Sequence, residues 1–194
     1  MRKPPTTKDK RTSPRAYVAL LRGINVGGKN KIPMPVLRQS FERVGMTNVA
    51  TYINSGNVIF TAGEYPQSAL AAILEKAIEE DFGLEIPVLV RSREEIAAVH
   101  AALPSHWENG KAMKADVLFL WDEVDEPAVL ERLPLKPGLA EALYVPGAVI
   151  VGIDRANVSR SGLSRLVGSR LYAAMTIRNV NTLRRIHALL SGEE

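Results

Sequence analysis

From Ala16 to Val90 the chain alternates short apolar runs with stretches of helical periodicity, in the order strand, helix, strand, strand, helix, strand. Ala16–Leu21 is an unbroken apolar run, too short for a helix, and reads as a buried strand. Pro35 suits a first helical position; Leu37, Ser40, Phe41 and Val44 then share one face, and Gly45 accepts the left-handed helix end. Asn48–Asn54 and Asn57–Thr61 are strand-like and meet through Ser55-Gly56, the spacing of a hairpin. Pro66 opens a second helix with Leu70, Ile73, Leu74, Ala77 and Ile78 on its inner face, closed at Gly83, and Ile86–Val90 is a fourth strand. A βαββαβ order admits few solutions. Its ferredoxin-like form is a four-stranded antiparallel sheet with both helices on one face and the first and third strands adjacent.

The second half repeats the kinds of element with less regularity. Ser92 and Glu95 have the spacing of a capping box, ahead of a helix with Ile96, Val99, His100 and Leu103 inward. Pro104 to Lys111 is a polar connection, Ala115–Trp121 a strand and Pro127–Leu133 a short helix. Ala142–Val145 and Ala148–Ile153 form a hairpin turning at Pro146-Gly147. Helices are expected over Leu163–Ala173 and from about Asn181, the last with Leu183, Ile186, His187 and Leu190 inward. This order, αβαββαα, echoes the first half without an internal sequence repeat. The expected fold is α+β: a ferredoxin-like subdomain at 16–91, packed with a second, smaller α+β half at 92–194 that has a helical C-terminus. A disordered basic tail, 1–15, precedes them.

At 194 residues, 46% apolar and 24% charged, the chain is long enough and apolar enough to bury a core. The absence of cysteine excludes disulfides, thiol catalysis and cysteine-ligated metals. No apolar run reaches the roughly 20 residues of a membrane span, so the expectation is a cytoplasmic protein without membrane contact. The formal charge of +4 is unevenly spread. Residues 1–15 carry +5, and residues 155–192 carry seven arginines and no acid. Arg155, Arg160, Arg165 and Arg170 recur every five residues, which on a helix cannot line one face.

The strongest local signal is Arg22-Gly23-Ile24-Asn25-Val26-Gly27-Gly28-Lys29-Asn30-Lys31, directly after the first strand. Glycines let backbone N–H groups approach a ligand closely, and Arg22, Lys29 and Lys31 add charge-assisted bonds to a phosphate or carboxylate. Gly23 to Lys29 spells the start of a P-loop, G-x-x-x-x-G-K. Asn30, however, stands where Ser or Thr should reach magnesium, and Pro33 and Pro35 delay the helix that a P-loop starts at its lysine. Asn54, Ser55 and Asn57 flank the hairpin turn, where turn chemistry alone explains them. Because the first and third strands are neighbours, the same residues also fall beside Arg22 and Asn25. Arg178 and Asn179 precede the last helix. Asn179 or Asn181 can cap it, whereas a cation there is disfavoured unless an anion or an acidic side chain stands between. The histidines, His100, His106 and His187, lack metal-ligand spacing, and no nucleophile elbow occurs.

Three of these segments are also similar to the signatures of a bacterial family known as domain of unknown function 1697. They are Tyr17 to Asn30, Tyr52-Ile53-Asn54-Ser55-Gly56-Asn57-Val58-Ile59-Phe60, and Thr176-Ile177-Arg178-Asn179-Val180-Asn181-Thr182, in which the family usually carries Trp at the place of Val180. The resemblance implies a ferredoxin-like α+β fold and no assigned activity. The functional expectation from the residues is a binding domain for a phosphate-bearing ligand, a nucleotide or nucleic acid. Its candidate site is Arg22, Asn25, Gly27, Gly28, Lys29, Asn30, Asn54, Ser55, Asn57, Arg178 and Asn179, with no metal and no cofactor. An enzyme acting on a small anionic metabolite and a protein–protein interaction domain are the alternatives, and no residue stands out as catalytic.

Overall fold

The pleat of the first strand explains its composition. Tyr17, Ala19 and Leu21 face one core while Val18 and Leu20 face another, so a strand covered on both sides has no polar alternation to show. The computed structural model describes residues 15–63 and 65–193, and apart from Arg15 the expected basic tail lies outside them. Strand β1 (Arg15–Leu21), helix α1 (Met34–Arg43), β2 (Thr47–Tyr52), β3 (Asn57–Ala62), α2 (Gln67–Phe82) and β4 (Val88–Ser92) build the first sheet. Its strand order is β2-β3-β1-β4, and β1 runs antiparallel to both neighbours. Leu20 pairs with Asn57 across β3, and Val18 with Arg91 across β4. Leu37 and Phe41 of α1 and Leu70, Leu74 and Ile78 of α2 cover the outer face against Phe60 and Val90. Each such fully buried side chain contributes about 1.5–3 kcal/mol.

Helix α3 (Arg93–Ala102) follows, with the expected capping box of Ser92 and Glu95. Then come β5 (Met113–Leu120), α4 (Val129–Arg132), β6 (Glu141–Val145), β7 (Ala148–Asp154), α5 (Arg170–Ala173), β8 (Met175–Asn179) and α6 (Val180–Ser191). The second sheet has the order β6-β7-β5-β8, the first sheet's order over again. Two expectations change. Met175–Asn179 is a strand where none was expected, because Thr176 and Arg178 are polar residues that the fold buries, so no apolar pattern announces it. The helix expected over Leu163–Ala173 is a 3₁₀ turn, Leu163–Leu166, and the single turn of α5, separated at Gly168, whose φ of 82° no helix accommodates. The second half therefore matches the first strand for strand, although its crossover helices are shorter.

Between the sheets lie α3 and α6, packed on each other. Ile96 and Val99 of α3 and Leu183, Ile186 and Leu190 of α6 fill the space between Val18 and Leu20 of one sheet and Val117, Phe119 and Ile150 of the other. His100 and His187 stand eight residues after their respective N-caps, Ser92 and Asn179. Their rings stack with centroids 4.1 Å apart. A third apolar cluster covers the far face of the second sheet with α4, α5 and the turns around them. Among the described residues no helix is long and apolar enough to cross a membrane.

Candidate functional site

The glycine loop leaves β1 at Arg22 and returns to the core at buried Ile32. At its middle the chain makes a miniature hairpin: Lys29 N–H donates to the Val26 carbonyl at 3.1 Å, with Gly27 and Gly28 between them at φ 59° and 77°. Consecutive left-handed residues are what tight two-residue hairpins need. A Cβ at either glycine would meet open space, so backbone conformation and not crowding demands glycine there. The asparagines brace the loop from inside. Asn30 Nδ2 donates to the Gly23 carbonyl at 3.0 Å. Asn25, itself at φ 53°, donates from Nδ2 to the carbonyls of Ile32 (3.0 Å) and Asn54 (2.9 Å), and its Oδ1 accepts from Ile32 N–H at 2.9 Å. One side chain thus ties both ends of the loop to the β2–β3 turn.

In that turn Gly56 has φ 77°, and a Cβ on it would lie 2.7 Å from the Leu21 Cβ. Asn57 is fully buried; its Nδ2 donates to the Tyr52 carbonyl and to Ser55 Oγ, both at 3.0 Å. Its Oδ1 accepts from Arg178 Nε at 2.5 Å. Arg178 reaches across from β8 in the other sheet. Nη2 donates to the carbonyls of Leu21 (2.8 Å), Ser55 (3.1 Å) and Gly56 (3.3 Å), and Nη1 donates to Thr176 Oγ1 (3.0 Å) and the Ile177 carbonyl (2.8 Å). No carboxylate pairs with it among the described residues. Carbonyl dipoles stand where the sequence called for an anion. Burial pulls its guanidinium down to about 10, which leaves it protonated at neutral pH.

Arg22 is held similarly. Nε donates to the Met175 carbonyl (3.1 Å), Nη2 donates to that of Tyr172 (3.3 Å), and the guanidinium lies 5.2 Å over the Tyr172 ring. Asn179, next along from Arg178, caps α6 by accepting from Thr182 N–H at 2.9 Å. The fold therefore gathers Arg22, Asn25, Asn30, Asn54, Ser55, Asn57 and Arg178 around the base of the loop, where their polar groups bond mainly to the protein's own backbone. Gly27, Gly28 and Lys29 form the exposed tip. The amides of Gly27 and Gly28 donate to nothing among the described residues, and Lys29 and Lys31 have no carboxylate partner there. Val26 beside them is 66% exposed.

Sequence reasoning passed over Arg91, which crosses between the sheets as Arg178 does. A signal was present: in Arg91-Ser92 and Arg178-Asn179 alike, an arginine directly precedes the N-cap of a helix. No group of three His, Asp or Glu side chains arranged to hold a metal ion occurs among the described residues.

A family model described as "Protein of unknown function (DUF1697)" matches residues 15–150, a span that includes the loop and the β2–β3 turn. The solved structure of conserved bacterial protein SP0830 from Streptococcus pneumoniae is similar over 92% of this chain and 99% of its own length, at 29% identity and a TM-score of 0.79. No curated protein matches.

Proposed function

The chain belongs to the DUF1697 family, and on that premise we propose that it is a binding domain for a phosphate-bearing ligand, a nucleotide or nucleic acid, engaged by the tip of the glycine loop. The observation that carries this reading is the pair of amides at Gly27 and Gly28, without a partner among the described residues, followed directly by exposed Lys29 and then by exposed Lys31, which no carboxylate among those residues pairs with. Backbone donors and ammonium groups presented together are the chemistry of phosphate recognition. Arg22, Asn25, Asn30, Asn57 and Arg178 then act as the frame that stiffens the loop, so that its tip binds without first being ordered.

Val26, Gly27, Gly28 and Lys29 are all exposed, a geometry suited to the backbone of an extended nucleic acid more than to an enclosed metabolite. The test is binding of a short single-stranded DNA and RNA, and of ATP, to the full chain and to a Lys29→Glu, Lys31→Glu variant, over a series of salt concentrations. Affinity should fall steeply with salt, and the variant should flatten the slope of log K against log salt by about 1.4, at about 0.7 per lost contact. Equal affinity and equal slope in the two proteins would overturn the assignment to this loop and transfer any binding to other basic residues. Absence of binding to all three probes at low salt would overturn the function itself.

A further inference from the structure

The duplicated topology makes the second half a reference for the first, and the two part company around the glycine loop. Tyr52 pairs with Asn57 across the β2–β3 turn, and Val145 with Ala148 across the β6–β7 turn. Pro146 and Gly147 close the second turn alone, whereas the first contains Ile53, Asn54, Ser55 and Gly56. The connection from β1 to α1, residues 22–33, is likewise longer than that from β5 to α4, residues 121–128. The two additions meet, because Asn25 of the loop donates to the Asn54 carbonyl of the turn at 2.9 Å.

Ile53 is the anomaly of the longer turn. Its φ is 50°, and every other residue of positive φ among the described residues is glycine or asparagine. Glycine has no Cβ to clash in that region and asparagine tolerates it, whereas a β-branched side chain there is strained. Burial offsets little of the strain, since the residue is 49% exposed. Exposed apolar side chains are ordinary on a protein surface. One held out on a strained backbone, in a turn bonded to a ligand-binding loop, points to a partner.

The partner has to suit both chemistries present. The loop tip offers the amides of Gly27 and Gly28 with exposed Lys29, and exposed Val26 and Ile53 add aliphatic surface on the loop and on the turn bonded to it. An inorganic phosphate uses only the polar part. In a nucleic acid each phosphate is followed by a base with a broad, weakly polar face; pairing and stacking cover those faces in a duplex, and a single strand leaves them open to side chains. We propose that Ile53 is a base-contacting residue and that the ligand is a single-stranded nucleic acid, with one phosphate at the loop tip and a neighbouring base packed on Ile53. This inference rests on the phosphate reading of the loop and narrows it from phosphate-bearing ligands in general to an unpaired strand.

Fluorescence anisotropy of the full chain with an oligothymidylate, and with an abasic strand carrying the same number of phosphates, tests it. The oligothymidylate should bind at least about fivefold more tightly than the abasic strand. Ile53→Gly, and Ile53→Asn, which keeps a residue tolerant of the left-handed backbone, should remove most of that preference without changing the affinity for the abasic strand. Both should melt at or above the temperature of the parent protein, because each relieves the strain. Equal affinity of the parent protein for the two strands would overturn the base contact and leave the phosphate reading standing, and so would a preference that survives both substitutions. A lower thermal midpoint in both variants would make Ile53 a residue of the fold and also overturn it. Failure of both strands to bind at low salt would overturn the phosphate reading and this inference with it.

Discussion

Arg178 and Arg91 hold matching places in the two sheets, and each crosses the interior to a carbonyl at the end of the other sheet's central strand. Around Arg178 the protein provides an acceptor for Nε as well, and Arg22 completes the polar packing nearby. Around Arg91 strand register puts Ala148 in the place of Asn57 and Trp121 follows in that of Arg22, and Nε is left without a hydrogen bond, Glu95 Oε1 being 3.8 Å away. Topology repeats because hydrophobic faces of similar size pack in similar ways. Polar satisfaction does not repeat, because it depends on single atoms within about 3 Å of one another. One crossing is thus a finished cross-link, and the other retains unspent hydrogen-bonding capacity.

The sharpest way to break this contrast is to remove the finished cross-link. Arg178→Leu withdraws its donors from the carbonyls of Leu21 and Ser55 and from the amide oxygen of Asn57, while the Gly56 carbonyl keeps the Leu21 N–H. With buried acceptors costing about 1–3 kcal/mol each, a loss of at least about 3 kcal/mol is expected in urea unfolding. Arg91→Leu should cost visibly less, since it also removes an orphaned donor; equal losses would show the two crossings to be alike. Next in size, Asn57→Ala recreates at Arg178 the condition of Arg91. It should lower stability by about 2–3 kcal/mol, and Asn57→Asp, which keeps an oxygen for Nε, should restore part of it.

The turn glycines extend the comparison. Gly56 and Gly147 both have left-handed φ, 77° and 89°. A Cβ at Gly56 would stand 2.7 Å from Leu21 Cβ and 2.9 Å from Ile24 Cδ1, while at Gly147 the nearest atom is Arg91 Nε at 3.2 Å. Both alanine variants carry a backbone cost of about 1 kcal/mol, and Gly56→Ala should exceed Gly147→Ala by about 1–2 kcal/mol of overpacking. Equal chemical denaturation midpoints would mean that the tighter turn relaxes freely.

The smallest expected effect lies where the halves meet. Desolvation, then the neighbouring His187 and Arg184, hold His100 below the usual histidine value of 6.5, with Glu193 opposing them. The native state therefore takes up a proton less readily than the unfolded chain. This contribution is intact above pH 6.5 and drains away as the pH falls through the lowered native value. The thermal midpoint should drop between about pH 7.5 and 5.5, above the range where most carboxylates titrate. His187→Phe should shrink that drop, and an unchanged one would assign the acid sensitivity elsewhere.

Much of the architecture was legible because local signals and global packing agree. The apolar run of β1, the inner faces of α1 and α2, the capping box at Ser92 and the turn at Pro146-Gly147 each carry their own short-range chemistry. The second sheet's last strand was not legible, since Thr176 and Arg178 look exposed until a sheet and a turn close over them. The glycine loop was visible as a special segment, and adjacency of β1 and β3 placed Asn25 and Arg22 near Asn54 and Asn57. Their employment as internal braces was not visible, because a side-chain amide is equally able to bond a ligand or a carbonyl until its distance to each is known. By itself, then, the sequence determined the elements of the first sheet, most of those of the second half and the glycine loop as a segment apart, all of them consequences of spacing within a few residues. The tertiary structure decided that the halves are twins, that Arg178 is satisfied and that Arg91 is not. Those outcomes rest on partners far apart in the chain, such as Asn57 and Arg178, that meet only when the two sheets pack.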